Sequence, residues 1–387
     1  MSRITEKKNP FTRDFGTNPT TYISRTVQQD EIYRSFIEEI TDDKVFFIVG
    51  QRGYGKSSLL RAVKEEVGRN DEWIVIEIRS NSDNLIHELA ATLYADLRLK
   101  RELTEMEFDF SLIGIGGSIT AKTKNKIEIS SDEVAVKKML ETAKRQNRKV
   151  MIAIDEISDT KAIRDFVALF NVCKGESLPI YLLMDGLYKN TAALENVPDL
   201  TFLKRVQKLE MSPLDISEMF YSYKKHLHLM DDKNQIIAQR LAEMTKGYPY
   251  AFQLIGFYTW LWYREDENLF DDFDEFRERL NNELDKNLDS YVYHTIWDEL
   301  SPTEQDILSI MAIYKLTRVQ DIREKYNEVF PDRAKMTSGN FSKYREKLIK
   351  MSILSSRAST QLGFNLPRFE MYAIMNRNEE IVLKERI

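Results

Sequence analysis

The sequence predicts a parallel, doubly wound α/β sheet, then an all-helical module, then a small module of helices closed by a β-hairpin. Three observations predict it. Short apolar runs alternate with helical patterning as far as residue 210, helical periodicity alone follows from 212, and residues 301–387 read as three helices and two short strands. At 387 residues the chain suits two or three domains.

The first strand, Val45-Phe46-Phe47-Ile48-Val49, has no polar residue and fits a strand covered on both faces. It runs straight into Gly50-Gln51-Arg52-Gly53-Tyr54-Gly55-Lys56-Ser57, the pattern G-x-x-x-x-G-K-S, followed by Ser58. Glycines at 50, 53 and 55 let successive backbone N–H groups close around a phosphate, where a Cβ would obstruct the wrap. Lys56 is expected to reach the β- and γ-phosphates and Ser57 to ligate Mg²⁺. The helix carried on by Leu59, Leu60, Ala62 and Val63 turns its positive end toward the same anion. A chance glycine-rich turn would lack the strand before and the helix after, so this segment predicts an ATP/ADP and Mg²⁺ site.

Further strands are expected at 73–78, 150–154, 180–184 and about 206–210. The third, Val150-Met151-Ile152-Ala153-Ile154, ends in Asp155-Glu156, where open α/β sheets place their ligands. An apolar strand ending in Asp-Glu is by itself usually structural. Paired with the phosphate loop it predicts a Walker B strand, with Asp155 holding the Mg²⁺ shell and Glu156 orienting or deprotonating an attacking water. Between the second and third strands lie a helix near 83–101 and an insertion, 106–130, that alternates like a β-hairpin around Gly114, Gly116 and Gly117. Its far arm puts Lys122, Lys124 and Lys126 on one face, either touching DNA or guarding an edge strand against aggregation.

The core is expected to span 1–211 and a helical lid 212–295, opening at Ser212-Pro213-Leu214-Asp215. Within the lid the aromatic stretch Tyr248–Tyr263 contains Gln253 and lacks a basic face, which favours a buried bundle helix over a membrane-surface one. The last module, 296–387, opens with Ser301-Pro302-Thr303-Glu304, a capped helix start. Helices near 302–314, 317–328 and 337–350, then a hairpin, make a winged helix-turn-helix. Its third helix offers Ser342, Lys343, Arg345 and Lys347 to the major groove of double-stranded DNA, although winged helices also dock proteins.

The net charge of −6 hides an asymmetry: residues 301–387 carry fifteen Lys/Arg against eleven Asp/Glu, or +4, which leaves −10 on the rest. A mildly basic module on an acidic body points weakly to nucleic acid. One cysteine, Cys173, excludes an internal disulfide and a cysteine zinc site, and the four histidines are scattered. No apolar run is long enough to cross a bilayer and the first residues lack an apolar signal core, so a cytoplasmic protein without membrane partners is expected.

With these pieces the chain resembles the AAA+/STAND-like ATPases of bacteria and archaea, a group that joins a P-loop domain of the ASCE type, a helical lid and a winged helix and includes relatives of the origin-recognition initiators. The resemblance covers nearly the whole length. It implies an adenine-side segment in Asn9-Pro10-Phe11, Phe15-Gly16, Pro19 and Tyr22-Ile23-Ser24-Arg25, with Ile23 and Arg25 near the base, although the group usually has glycine where Ser24 stands. It also implies an arginine finger at Arg205 and, in Gly247-Tyr248-Pro249, a proline packing near the adenine in place of a sensor arginine. Asp185 stands at the sensor-1 position, where a neutral polar residue is usual, and reads as a helix cap. The expected function is a slowly hydrolysing ATP switch acting on DNA, with self-association or a protein partner as activator. The alternative is a nucleotide-gated signalling or scaffold ATPase whose last module binds a protein.

Overall fold

The computed structural model of the chain describes residues 7–14, 19–96, 98–99, 106–108, 127–129, 131–358 and 360–381. It divides into two compact units: Arg25–Val49 with Lys56–Glu210, and Met1–Ser24 with Gly50–Gly55 and Met211–Ile387.

The strands of the first unit, in chain order, are β1 (Val45–Val49), β2 (Trp73–Arg79), β3 (Met106–Phe108), β4 (Ile127–Ile129), β5 (Lys149–Ile157), β6 (Ile180–Gly186) and β7 (Gln207–Glu210). Five form one sheet in the order β2-β5-β6-β1-β7, every neighbouring pair parallel. All residues of β1 and β6 are buried, which is why these segments carry almost uninterrupted apolar side chains. Because β6 lies between β1 and β5, the C-terminal tips of the loop-bearing strand and of the Asp-Glu strand flank the tip of β6. A parallel sheet needs crossovers, and helices such as Lys56–Gly68 and Lys161–Gly175 supply them. In the latter, Ile163, Phe166, Val167 and Phe170 recur at helical spacing and bury one face against the sheet. Each such side chain contributes about 2 kcal/mol of hydrophobic stabilisation. Cys173 continues that face, and burial pushes its thiol up to about 11, so it serves as packing.

The insertion departs from the hairpin reading. Strands β3 and β4 pair in parallel, Met106 opposite Ile127 and Phe108 opposite Ile129, a direction that two arms joined by a tight turn do not have. The glycines 114, 116 and 117 and the lysines 122, 124 and 126 lie outside the described residues.

In the second unit the helices Ile216–His226, Asp232–Met244, Pro249–Glu265 and Phe273–Leu288 come first, and a π-helical turn, Asp289–Tyr293, leads into His294–Asp298. Helix Pro249–Glu265 buries residues on every face, including Phe252, Trp260, Trp262 and Tyr263, as a central bundle helix does. The N-terminal segment is fastened to it. Asn9 Nδ2 donates to the Phe257 carbonyl at 3.0 Å, Thr12 N–H donates to Gln253 Oε1 at 3.1 Å, and Phe11 packs between Tyr223 and Phe252. A Cβ on Gly256 would stand 2.3 Å from the Phe11 ring, so glycine is what admits the segment there. The last elements are helices Pro302–Ile313, Val319–Val329 and Ser338–Lys350, antiparallel strands β8 (Leu354–Ala358) and β9 (Gln361–Phe364), and helix Phe369–Met375. The capping box at Ser301 and Glu304 has both of its hydrogen bonds.

Candidate nucleotide-binding site

The glycine loop opens where β1 ends. Gly53 and Gly55 have φ of +79° and +81°, in the left-handed region that side chains resist. Around the loop, Tyr248 Oη donates to the Arg52 carbonyl at 2.7 Å and Tyr250 N–H donates to the Gly53 carbonyl at 3.2 Å. A trans peptide sets its N–H opposite its C=O, so the N–H of Gly53 points away from Tyr248. Gly247, with φ +76°, makes the corner before this helix: a Cβ there would lie 2.6 Å from the Leu214 carbonyl oxygen. Pro249 is the first residue of the helix, seated between the two tyrosines that hold the loop. Gln51 is buried, and the Tyr54 ring is turned wholly inward, its hydroxyl donating to the Ser352 carbonyl at 3.0 Å. Tyr54 therefore lends the loop its backbone alone. Ile23 is half-buried, and Arg25 is buried at the residue preceding helix Thr26–Phe36.

In the sheet unit, Lys56, Ser57 and Ser58 begin the helix that follows the loop, anchored by buried Leu59, Leu60, Val63 and Val67. Ser57 Oγ–H donates to Asp155 Oδ1 at 2.9 Å, so the two residues expected at the metal, nearly a hundred positions apart in sequence, are in contact. Glu156, exposed beyond them, has φ +57°. The β5–β6 register slips between Ile154 and Ile157, a bulge that accounts for the unusual backbone.

Asp185 is a correction to the sequence reading. Helix Tyr188–Glu195 has Leu187 at its cap position, whereas Asp185 lies within β6, fully buried, and its Oδ1 accepts the Glu156 N–H at 3.1 Å. Burial foremost, then the neighbouring Asp155, push the Asp185 carboxyl well above the usual carboxylate range, against a smaller opposing pull from Lys56. The sequence signal was an Asp inside an otherwise apolar strand, one residue before Gly186.

Arg205 is exposed at the end of the 3₁₀ segment Pro198–Arg205, just before edge strand β7. On helix Ser338–Lys350 the basic residues do not form one set free for a ligand. Lys343 is exposed and Ser342 half-buried, while Arg345 has a buried Nε without a hydrogen-bond partner among the described residues. Lys347 is exposed, and its Nζ pairs at 2.8 Å with Glu304, a carboxylate only 1% exposed.

The residues present fit a magnesium nucleotide. Two left-handed glycines shape a phosphate-wrapping loop, and a hydroxyl touching a strand-tip carboxylate is a hard oxygen pair of the kind Mg²⁺ takes alongside phosphate oxygens and water. Among the described residues no group of three or more His, Cys, Asp or Glu forms a metal cage, and no helix is long and apolar enough to cross a membrane.

Comparison with known proteins agrees with this geometry. Residues 29–174 match the model of the KAP family P-loop domain. No curated protein matches. Among solved structures, the Aeropyrum pernix ORC2 protein, in ADPNP-ADP complexes, is 13% identical with a TM-score of 0.55, each chain covered in full. Cdc6p from Pyrobaculum aerophilum is 14% identical with a TM-score of 0.42, covering 96% of this chain and 97% of its own. The sheet order, the glycine loop, the Asp-Glu strand tip and the likeness to ORC2 together give this protein a P-loop NTPase fold of the AAA+ type, similar in architecture to the Aeropyrum pernix ORC2 protein.

Proposed function

We propose that the protein is an ATP-controlled molecular switch that hydrolyses slowly and acts on double-stranded DNA through its C-terminal module. The observation that carries the nucleotide half is the 2.9 Å contact of Ser57 with Asp155 directly after a loop with two left-handed glycines. In this reading the loop N–H groups and Lys56 bind the β- and γ-phosphates, and Ser57 and Asp155 hold Mg²⁺, which supplies charge neutralisation when bound. Glu156 orients the attacking water. Ile23, Arg25 and Pro249 are the proposed adenine-side residues, with Gln51, Arg52 and Tyr54 contributing backbone. Arg205, exposed beside an edge strand, is a candidate finger for a second copy of the chain, and without such a finger hydrolysis is slower by ~10³–10⁵-fold. That deficit supports a slow switch awaiting an activator.

The DNA half rests on three helices followed by an antiparallel hairpin, the order of a winged helix, with Lys343 exposed on the third helix. A second reading, a signalling or scaffold ATPase whose last module docks a protein, is favoured by the engagement of Lys347 with Glu304, which leaves that helix fewer free cations. ATP hydrolysis by the purified protein, with and without double-stranded DNA at two salt concentrations, separates the two. Stimulation that vanishes at high salt, in Lys56→Ala and in Lys343→Gln supports the DNA switch. Tight nucleotide binding with no response to DNA transfers the role to a protein partner.

A further inference from the structure

The second strand-tip carboxylate stands on a backbone that must be held. Glu156 has φ +57°, a left-handed conformation that side chains resist, and it occupies the bulge where the β5–β6 ladder skips from Ile154 to Ile157. In such a bulge the extra residue loses its ladder partner, so the N–H of Glu156 needs an acceptor from elsewhere. Asp185 Oδ1 provides it at 3.1 Å, from the neighbouring strand and from a position with no solvent exposure. The far side of the bulge is pinned as well: Asn190 Nδ2 donates to the Ile157 carbonyl at 2.9 Å, and Gly186 leaves room for Ile157, since a Cβ there would lie 2.8 Å from its Cγ1. The other oxygen of Asp185, Oδ2, is buried and has no hydrogen-bond partner within bonding distance among the described residues.

We propose that Asp185 is a positioning residue for nucleotide hydrolysis: through the Glu156 N–H it fixes the left-handed bulge that aims the Glu156 side chain at the attacking water. This rests on the reading of Glu156 as the water-orienting group. It assigns Asp185 a task that needs an acceptor oxygen and no negative charge, and that one oxygen performs on main chain instead of on the nucleotide. Asparagine has the same shape and keeps the acceptor, whereas leucine fills the space and offers no acceptor. Charge-based roles, as a metal ligand or a base, would make the two substitutions equally damaging.

The test uses the full-length protein as wild type, Asp185→Asn, Asp185→Leu and Asp185→Ala. Without nucleotide, hydrogen exchange in the peptide spanning 154–158 should stay at the wild-type rate in Asp185→Asn. It should quicken by about tenfold in the other two, the equivalent of one buried hydrogen bond. With MgATP, single-turnover hydrolysis should fall on the order of 10²-fold in Asp185→Leu at an unchanged ATP dissociation constant, and stay near wild type in Asp185→Asn. In a Glu156→Gln background, adding Asp185→Leu should slow hydrolysis no further. Equal protection of this peptide in all four proteins overturns the proposal, and so does an Asp185→Asn as slow as Asp185→Leu. If Asp185→Leu and Asp185→Ala fail to fold, the Asp185→Asn comparison still decides between an acceptor and a charge. If the wild type itself does not hydrolyse ATP, the water-orienting reading of Glu156 fails, and the exchange experiment still decides whether Asp185 holds the bulge.

Discussion

Gly53 and Gly55 share a left-handed backbone for different reasons, and the difference is measurable. A Cβ on Gly55 meets nothing within 4 Å, so alanine there costs only the backbone strain, about 1 kcal/mol. A Cβ on Gly53 would fall 1.9 Å from the Tyr248 hydroxyl, which donates to the carbonyl just before it, so alanine there must also displace the tyrosine that secures the loop. Both variants should lose nucleotide affinity, because both obstruct or reshape the phosphate wrap. In the absence of nucleotide, however, Gly53→Ala should lower the unfolding midpoint clearly more than Gly55→Ala. Equal midpoints would show that Tyr248 yields without cost and that its bond to Arg52 does little for the loop. Sequence pattern alone marks both positions as glycine, and only the packing of a residue almost two hundred positions away separates them.

At the scale of elements, the joint between helices Phe273–Leu288 and His294–Asp298 carries a pH dependence. Asp289 opens the π-helical turn there, half-buried, and burial followed by the charge of Asp285 raises its carboxyl to about 6, although Arg368 pulls the other way. Arg368 is itself engaged, through a two-pronged ion pair with Asp285. A carboxyl whose folded pKa exceeds its ordinary ~3.9 contributes stability that is complete below about pH 4 and is lost as the pH rises through about 6. At neutral pH, then, ionised Asp289 is a net cost. Asp289→Asn should stabilise the protein by about 1 kcal/mol at pH ~7.5, after allowance for the solvent exposure of the group, and by almost nothing at pH ~4. Urea unfolding of both proteins at the two pH values checks this, and a gain independent of pH would mean that the turn is relieved sterically instead. The other elements were largely legible from local pattern. The sheet strands, the aromatic bundle helix and the capped start at Ser301 all follow from short-range periodicity and capping chemistry. The parallel pairing of β3 with β4 was not, because strand direction depends on what the chain does between them. The tie of Lys347 to Glu304 was hidden for a related reason: charge on a helix can be counted in sequence, but its partner on another helix cannot.

Across the whole molecule, the legible part of the site is the part encoded contiguously. Gly50–Ser57 and Asp155-Glu156 declare themselves because phosphate and metal chemistry fix residue types at short spacing. Asp185 acquires its role only once β6 is placed beside β5 with a bulge between them, and Tyr54 its role only once the chain three hundred residues on has folded back. That last contact bears on the proposed switch. The Tyr54 hydroxyl bonds the Ser352 carbonyl in the turn between helix Ser338–Lys350 and β8, and the Tyr54 and Tyr248 rings meet edge to face at 5.1 Å. The glycine loop and the third helix of the last module are thereby joined within one compact unit. A ligand that fixes the loop should steady that turn, and by linkage anything that binds the turn should alter nucleotide affinity by the same factor. Tyr54→Phe keeps the ring and deletes the bond, leaving the Ser352 carbonyl without it at a cost of about 1 kcal/mol. In the wild type, ADP should slow hydrogen exchange across residues 350–354. In Tyr54→Phe that slowing should shrink while ADP still binds, since the loop N–H groups and Lys56 are untouched. If ADP protects the turn equally in both proteins, the link runs through the ring packing of Tyr54 on Tyr248, and Tyr248→Leu should then abolish it.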